Sequence, residues 1–282
     1  MSPGPILCLG GGGFTMEAGL PLLDAYALDL ARTRSPRLLF LPTAGGDPAD
    51  QIGRFERVFG SLPCRPRVLS LFHRADLEEP LEDVVLAQDV IYVGGGSMVN
   101  LLALWHAHGL PDLLREAHRR GTVLAGLSAG AMCWMDGGVT RSQGAPSVVD
   151  GLGLVGGSLS VHAHRDPERG RALRAAIAAG RLPGGWTADD HAGLLFVDGR
   201  LRECVAGRPD AKVHRIDRGP DGTLVERELP VRRLGPQERW GWAADEPGPS
   251  DRGGLRDELR LVRRMRAARM ASGPGRRRRP AR

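Results

Sequence analysis

The sequence predicts an α/β fold, a mainly parallel sheet flanked by helices with antiparallel strands added at one edge. Three observations carry that expectation. Up to about residue 135, short apolar runs alternate with helical patterns, which is how strands covered on both faces read when crossover helices join them. One run, Thr122-Val-Leu-Ala-Gly-Leu-Ser128-Ala-Gly-Ala131, breaks into a Gly-x-Ser-x-Gly turn and re-enters a helical pattern. Beyond it, short strands joined by Asp-Gly turns replace the alternation, and such turns favour hairpins.

The expected parallel strands are Pro5 to Leu9, Arg37 to Leu41, Arg67 to Leu71, Asp89 to Val93 and Thr122 to Ala125. Between them, Leu20 to Arg32, Ala49 to Phe59 and Val99 to Arg120 have the length and mixed faces of crossover helices, whose connections should be right-handed. Leu194 to Val197 and Leu201 to Ala206, joined by Asp198-Gly199, read as a hairpin. A second pair, Lys212 to Ile216 and Leu224 to Leu229, is joined through Gly219-Pro-Asp-Gly222. Residues 1–244 are thus expected to form one α/β domain. Residues 245–254 collect proline, glycine and acids without periodicity and read as a linker. In 255–282, Leu255, Leu259, Val262 and Met265 recur at helical spacing among arginines, suggesting a basic helix before a disordered arginine-rich end.

With 282 residues and 41% hydrophobic content, the chain can fill a substantial core. Four separated cysteines, Cys8, Cys64, Cys133 and Cys204, suit neither a zinc site nor a disulfide framework and read as reduced residues of a cytoplasmic protein. An apolar strand begins at Pro5 without a basic leader, and no run approaches membrane-spanning length. The net charge of +6 is unevenly placed. Residues 251–282 hold twelve arginines against three acids, so the rest of the chain nets −3. A single lysine beside 38 arginines reflects compositional bias more than selection for phosphate contacts, and nucleic acid is not the expected partner.

The Gly-x-Ser-x-Gly segment has the form of a nucleophile elbow, in which Gly126, Ala129, Gly130 and Ala131 keep the turn free of bulk and Ser128 projects from the carboxyl edge of the sheet. A serine that attacks a carbonyl needs oxyanion donors, a base and a group that orients the base. Donors are available at Ala129, just after the serine, and at Gly95 in Gly94-Gly95-Gly96-Ser97, a loop at the same sheet edge. Eight histidines compete for the base. His162 and His164 follow the glycine-rich approach Gly151 to Ser158 and face the same side of an extended chain; alternation alone does not choose between them. The loop Gly10 to Gly13 reads as a tight turn at the edge of the cleft. No acid ends the second strand to complete a dinucleotide fingerprint, so no cofactor is expected. Nor is a metal, since His162-Ala-His164-Arg-Asp166 lacks a second ligand group nearby.

The segments Ile6 to Glu17, Leu39 to Asp47, Val93 to Asn100, Gly126 to Trp134 and Gly151 to His162 together resemble the successive motifs of the peptidase E-like serine peptidase family S51, which includes dipeptidase E and cyanophycinase-like enzymes. The resemblance covers roughly residues 6 to 205. It implies a flavodoxin-like fold related to class I glutamine amidotransferases, Ser128 as nucleophile and His162 as base. It also implies short peptide substrates, with amino-terminal aspartyl dipeptides among them; a homo-oligomer is compatible with it. The family commonly carries an acid about twenty residues before its histidine, where this chain has Val139-Thr-Arg-Ser-Gln143, and Arg141 cannot orient an imidazolium. Asp189 and Asp190, at a turn before an apolar strand, are the best substitutes, although such a pair also reads as turn-forming. Two rivals stand beside this reading: an α/β-hydrolase-type esterase, which would need a later histidine such as His191 or His214, and a catalytically degenerate member that binds peptides.

Overall fold

Four-residue apolar runs without a polar face cannot be half-exposed, so they pair side by side and are covered above and below. The computed structural model describes residues 2–17, 21–31 and 33–235. The expected linker at 245–254 and basic segment at 255–282 lie outside the described residues. The first half of the chain runs β1 (Ile6–Leu9), α1 (Leu22–Asp29), β2 (Arg37–Leu41), α2 (Ala49–Phe59), β3 (Arg65–Val68), α3 (Leu81–Leu86), β4 (Val90–Val93), α4 (Met98–Ala107), α5 (Leu110–Arg119), β5 (Val123–Leu127) and α6 (Ala129–Met132). The second half runs β6 (Met135–Gln143), β7 (Ala145–Asp150), β8 (Val155–Val161), α7 (Pro167–Ala178), β9 (Gly185–Ala188), β10 (Ala192–Val197), β11 (Arg200–Ala206), β12 (Val213–Arg218), β13 (Leu224–Glu228) and β14 (Val231–Arg233).

The main sheet has the order β14-β11-β10-β1-β5-β4-β2-β3. Its β1, β5, β4, β2 and β3 are parallel, and β10 adds to β1 antiparallel, followed by β11. This is the flavodoxin-like, doubly wound α/β arrangement with an antiparallel extension. Each expected strand forms, although the third runs Arg65–Val68 and so both begins and ends earlier than expected. The long helix expected over Val99 to Arg120 is two helices. Gly109 takes the left-handed conformation at φ 69° and Pro111 sits in the first turn of α5, a stop followed by a restart that Gly-Leu-Pro announces.

A second, six-stranded sheet of order β13-β12-β9-β8-β6-β7 was not anticipated. The expected pair at Lys212 to Ile216 and Leu224 to Leu229 does form, as β12 and β13, but on this second sheet. Its central β8 carries Gly156 and Gly157 and pairs parallel with both β6 and β9. Glycines weaken a strand's own signal, so tertiary pairing rather than local propensity makes this element. One continuous buried cluster runs from Leu39 and Ile91 of the main sheet to Leu159, Val161 and Val213 of the second. Among the described residues, no helix is long and apolar enough to cross a membrane.

Strand register brings the loops of interest together. Leu9 lies opposite Leu127 and Val93 opposite Gly126, so the turns after β1, β4 and β5 emerge side by side. On the second sheet Val161 lies opposite Ala188, so the residues after β8 and β9 also leave as neighbours. The pairing of Leu9 with Gly193 returns the β9–β10 connection to the loop after β1.

Candidate active site

Ser128 alone makes the turn from β5 to α6, at φ 55° and ψ −114°, a region that side-chain-bearing residues rarely occupy. The flanking glycines make the turn possible. A Cβ on Gly126 would lie 2.2 Å from the Gly130 carbonyl oxygen, and one on Gly130 would lie 2.4 Å from that of Val93. The Ser128 amide donates to the Leu9 carbonyl at 3.0 Å, which ties the elbow to β1.

His162 directly follows β8 and is also left-handed, at φ 58°. Its Nε2 lies 2.9 Å from Ser128 Oγ and its Nδ1 lies 2.5 Å from Asp190 Oδ1. The imidazole therefore bridges a serine from the main sheet and a carboxylate from the turn between β9 and β10. Burial alone would raise the Asp190 carboxyl. The hydrogen bond and charge of His162, joined by Arg165 Nη1 at 3.3 Å from Oδ2, outweigh it and hold the group below its ordinary 3.8.

The two aspartates that sequence could not separate have different partners. Asp189 accepts the His164 amide at 2.8 Å and the Lys212 amide at 3.0 Å; it forms the turn. Asp190 alone meets His162. His164 contributes its backbone there and no imidazole contact to Ser128. His191 bonds Glu17 Oε1 through Nδ1 at 2.9 Å, and His214 Nε2 faces Glu228 at 3.7 Å, so neither histidine required by an esterase arrangement is bonded to Ser128. Arg141, in the segment where the family commonly carries an acid, is held by Asp166 at 2.5 Å and by Glu168.

The backbone donors also fall beside the serine. A Cβ on Gly95 would come within 3.2 Å of Ser128 Cβ, so the bare residue lets this loop approach without crowding. Ser97 fixes the loop's exit by capping α4, its Oγ accepting the Asn100 amide at 3.1 Å. Neither the Gly95 nor the Ala129 amide donates to a backbone acceptor among the described residues. Sequence reasoning left the Gly10 to Gly13 loop at the rim, whereas Gly11 covers the histidine–carboxylate pair itself. A Cβ there would lie 2.1 Å from Asp190 Oδ1 and 2.8 Å from His162 Cε1. Beside Asp190 opens a cavity of about 370 Å³ lined by Arg165, His191, Arg208, Asp210 and Lys212. Among the described residues, no group of three or more His, Cys, Asp or Glu side chains is placed to hold a metal ion.

A strained serine between strand and helix, faced by a histidine–carboxylate pair at the carboxyl edge of a flavodoxin-like sheet, defines the class: an α/β protein with the parts for acyl transfer. The chain belongs to peptidase family S51, whose sequence profile matches residues 6–204. It is 42% identical over 230 residues to the uncharacterized peptidase YgaJ of Bacillus subtilis strain 168, an alignment covering 82% of this chain and 99% of that relative. Two crystal structures share the fold. One is of a peptidase from an acI-B1 Actinobacterium, at TM-score 0.61 and 21% identity over 82% of this chain and 95% of that one. The other is of a Listeria monocytogenes EGD-e protein assigned provisionally as peptidase E, at TM-score 0.50 and 16% identity over 71% and 97%. The protein is a peptidase.

Proposed function

We propose that this peptidase is of the serine type and cleaves short peptides through Ser128, His162 and Asp190. The observation that supports this most is the unbroken run of side-chain contacts from Ser128 Oγ through both imidazole nitrogens to the Asp190 carboxylate. His162 Nε2 takes the Ser128 proton as Oγ attacks the scissile carbonyl carbon, and the carbonyl electron pair moves onto oxygen. The Ala129 and Gly95 amides receive that oxyanion. Collapse breaks the C–N bond, and His162 passes its proton to the leaving amine. Water, deprotonated by His162, then releases the acyl group and restores Ser128. Asp190 fixes the tautomer with Nδ1 protonated and stabilises the imidazolium, taking the orienting role that the Val139 to Gln143 segment does not supply.

For substrates, amino-terminal aspartyl dipeptides are the first class to test, on the strength of the family resemblance. Arg141 and Arg165 are the candidates for pairing with an acidic substrate side chain, and Arg141 is already engaged by two carboxylates. Arg165 remains largely exposed beside Asp190. The four cysteines are free, in keeping with a cytoplasmic home. The deciding experiment is labelling of the full-length chain with a fluorophosphonate probe, alongside a dipeptide screen varied in the first residue. We expect one label, at Ser128, and its loss together with all turnover in Ser128→Ala. Turnover retained by Ser128→Ala removes the proposal. An unlabelled, inactive but folded parent protein points to the degenerate peptide-binding alternative.

A further inference from the structure

Asp24 is a carboxyl for which the reaction has no use, and it is wholly buried. It lies on α1, under the loop that follows β1. Its Oδ2 accepts the Phe14 amide at 2.6 Å, while Oδ1 has no hydrogen-bond partner. Tyr92 of β4 turns its hydroxyl toward the carboxyl, and Glu17, bonded to His191, also faces it. Burial lifts the Asp24 carboxyl from 3.8 to about 7. Such a group costs stability, and an apolar side chain would suit the surroundings better.

What the carboxyl holds is the loop that covers the His162–Asp190 bond. The loop is fastened at both ends and at its middle. At the start, the Gly10 amide donates to the Ala192 carbonyl at 2.8 Å and the Gly11 carbonyl accepts the His191 amide at 3.0 Å. In the middle, Gly12 lies against the His191 ring and Gly13 against Asp24, where added Cβ atoms would come within 2.6 Å and 2.5 Å. At the end, the Phe14 amide is held by Asp24 and its ring meets Phe40, Phe55, Phe59 and Tyr92 edge-on. Between these fastenings, Gly11 lies directly on Asp190 and His162.

We propose that Asp24 is a positioning residue for the peptidase reaction, holding the Gly10 to Phe14 loop so that Gly11 roofs the His162–Asp190 hydrogen bond and excludes water from it. The proposal rests on the Ser128–His162–Asp190 reading for its effect on turnover. Asp24 touches none of the reacting atoms and acts only through the loop. Exclusion of water strengthens a charge-assisted hydrogen bond, and a loose roof lets the imidazole depart from the geometry that serves Ser128.

The test uses the full-length protein and two readouts: steady-state kinetics, and the low-field proton resonance of His162 Nδ1–H, assigned by its loss in His162→Gln. Asp24→Leu keeps the branched shape, at somewhat larger volume, and removes the acceptor for the Phe14 amide. It should fold with unchanged circular dichroism, lower kcat by about 10- to 100-fold with KM little changed, and shift or broaden the resonance through solvent exchange. Asp24→Asn keeps an acceptor and should restore both readouts. Gly13→Ala reaches the same contact from the loop side and should reproduce the loss, which keeps the test decisive if Asp24→Leu does not fold. A folded Asp24→Leu or Gly13→Ala protein with the parent kcat and resonance overturns the proposal. So does an Asp24→Asn protein as impaired as Asp24→Leu. The resonance does not depend on which residue is the nucleophile, so turnover by Ser128→Ala would sink the serine reading while leaving the test of Asp24 readable.

Discussion

The two halves of the site are made of different materials. On the main-sheet side, Ser128, Ala129 and Gly95 are placed by strand register and by glycines that let backbones touch, with no charge involved. On the other side, His162, Asp190 and Arg165 are placed by side-chain hydrogen bonds and ion pairs between a second-sheet strand and a turn. The first half should resist salt and pH and fail by steric insult. The second should respond above all to removal of charge.

The same contrast decides how much was legible in the sequence. The elbow, the Gly94 to Gly96 loop and the parallel strands are local patterns, because the requirement for small residues is written at the positions that need them. The family motifs then singled out His162. The acid could not be read. Asp189 and Asp190 are adjacent and alike, and only the pairing of β8 with β9 turns one toward His162 and the other toward two amides. The second sheet was missed for a related reason, since β8 holds glycines where a strand signal should be. Nothing near Gly11 in sequence says that it faces residues 162 and 190.

Several substitutions probe this contrast, in order of expected effect. On the uncharged side, Ser128→Ala should cost about 10⁴-fold or more in kcat with an unchanged thermal midpoint, as seen in dipeptide hydrolysis and melting curves. On the charged side, Asp190→Asn should cost about 10³-fold in kcat while the fold persists; a loss below tenfold would mean that the acid does not orient the base. Gly130→Ala should reverse that pattern. It forces a methyl against the Val93 carbonyl and should destabilise the fold by about 3 kcal/mol, measured by urea unfolding, before any effect on kinetics of the surviving native fraction.

The pH dependence should divide along the same line. Asp190 has a folded value below its ordinary 3.8, so its contribution to stability is complete above 3.8 and is lost only as pH falls through the lowered value. Asp24 has the opposite sign. Its folded value of about 7 means that stability declines as pH rises from about 4 to about 7, because the folded protein gives up the proton less readily than the unfolded chain. Melting curves across that range should be flatter for Asp24→Asn than for the parent protein. The smallest effect is expected at Arg141, whose partners lie at the surface. Arg141→Ala should leave the urea midpoint almost unchanged in moderate salt.

The connection from β9 to β10 is only three residues long, Asp189 to His191, yet it leaves one sheet and enters the other. Asp190 is the middle residue of that stitch. Any slippage of one sheet against the other must therefore stretch the 2.5 Å contact to His162 before it exposes much core. On heating, turnover should fade several degrees before helical and strand signals do, making the enzyme a thermometer of its own seam.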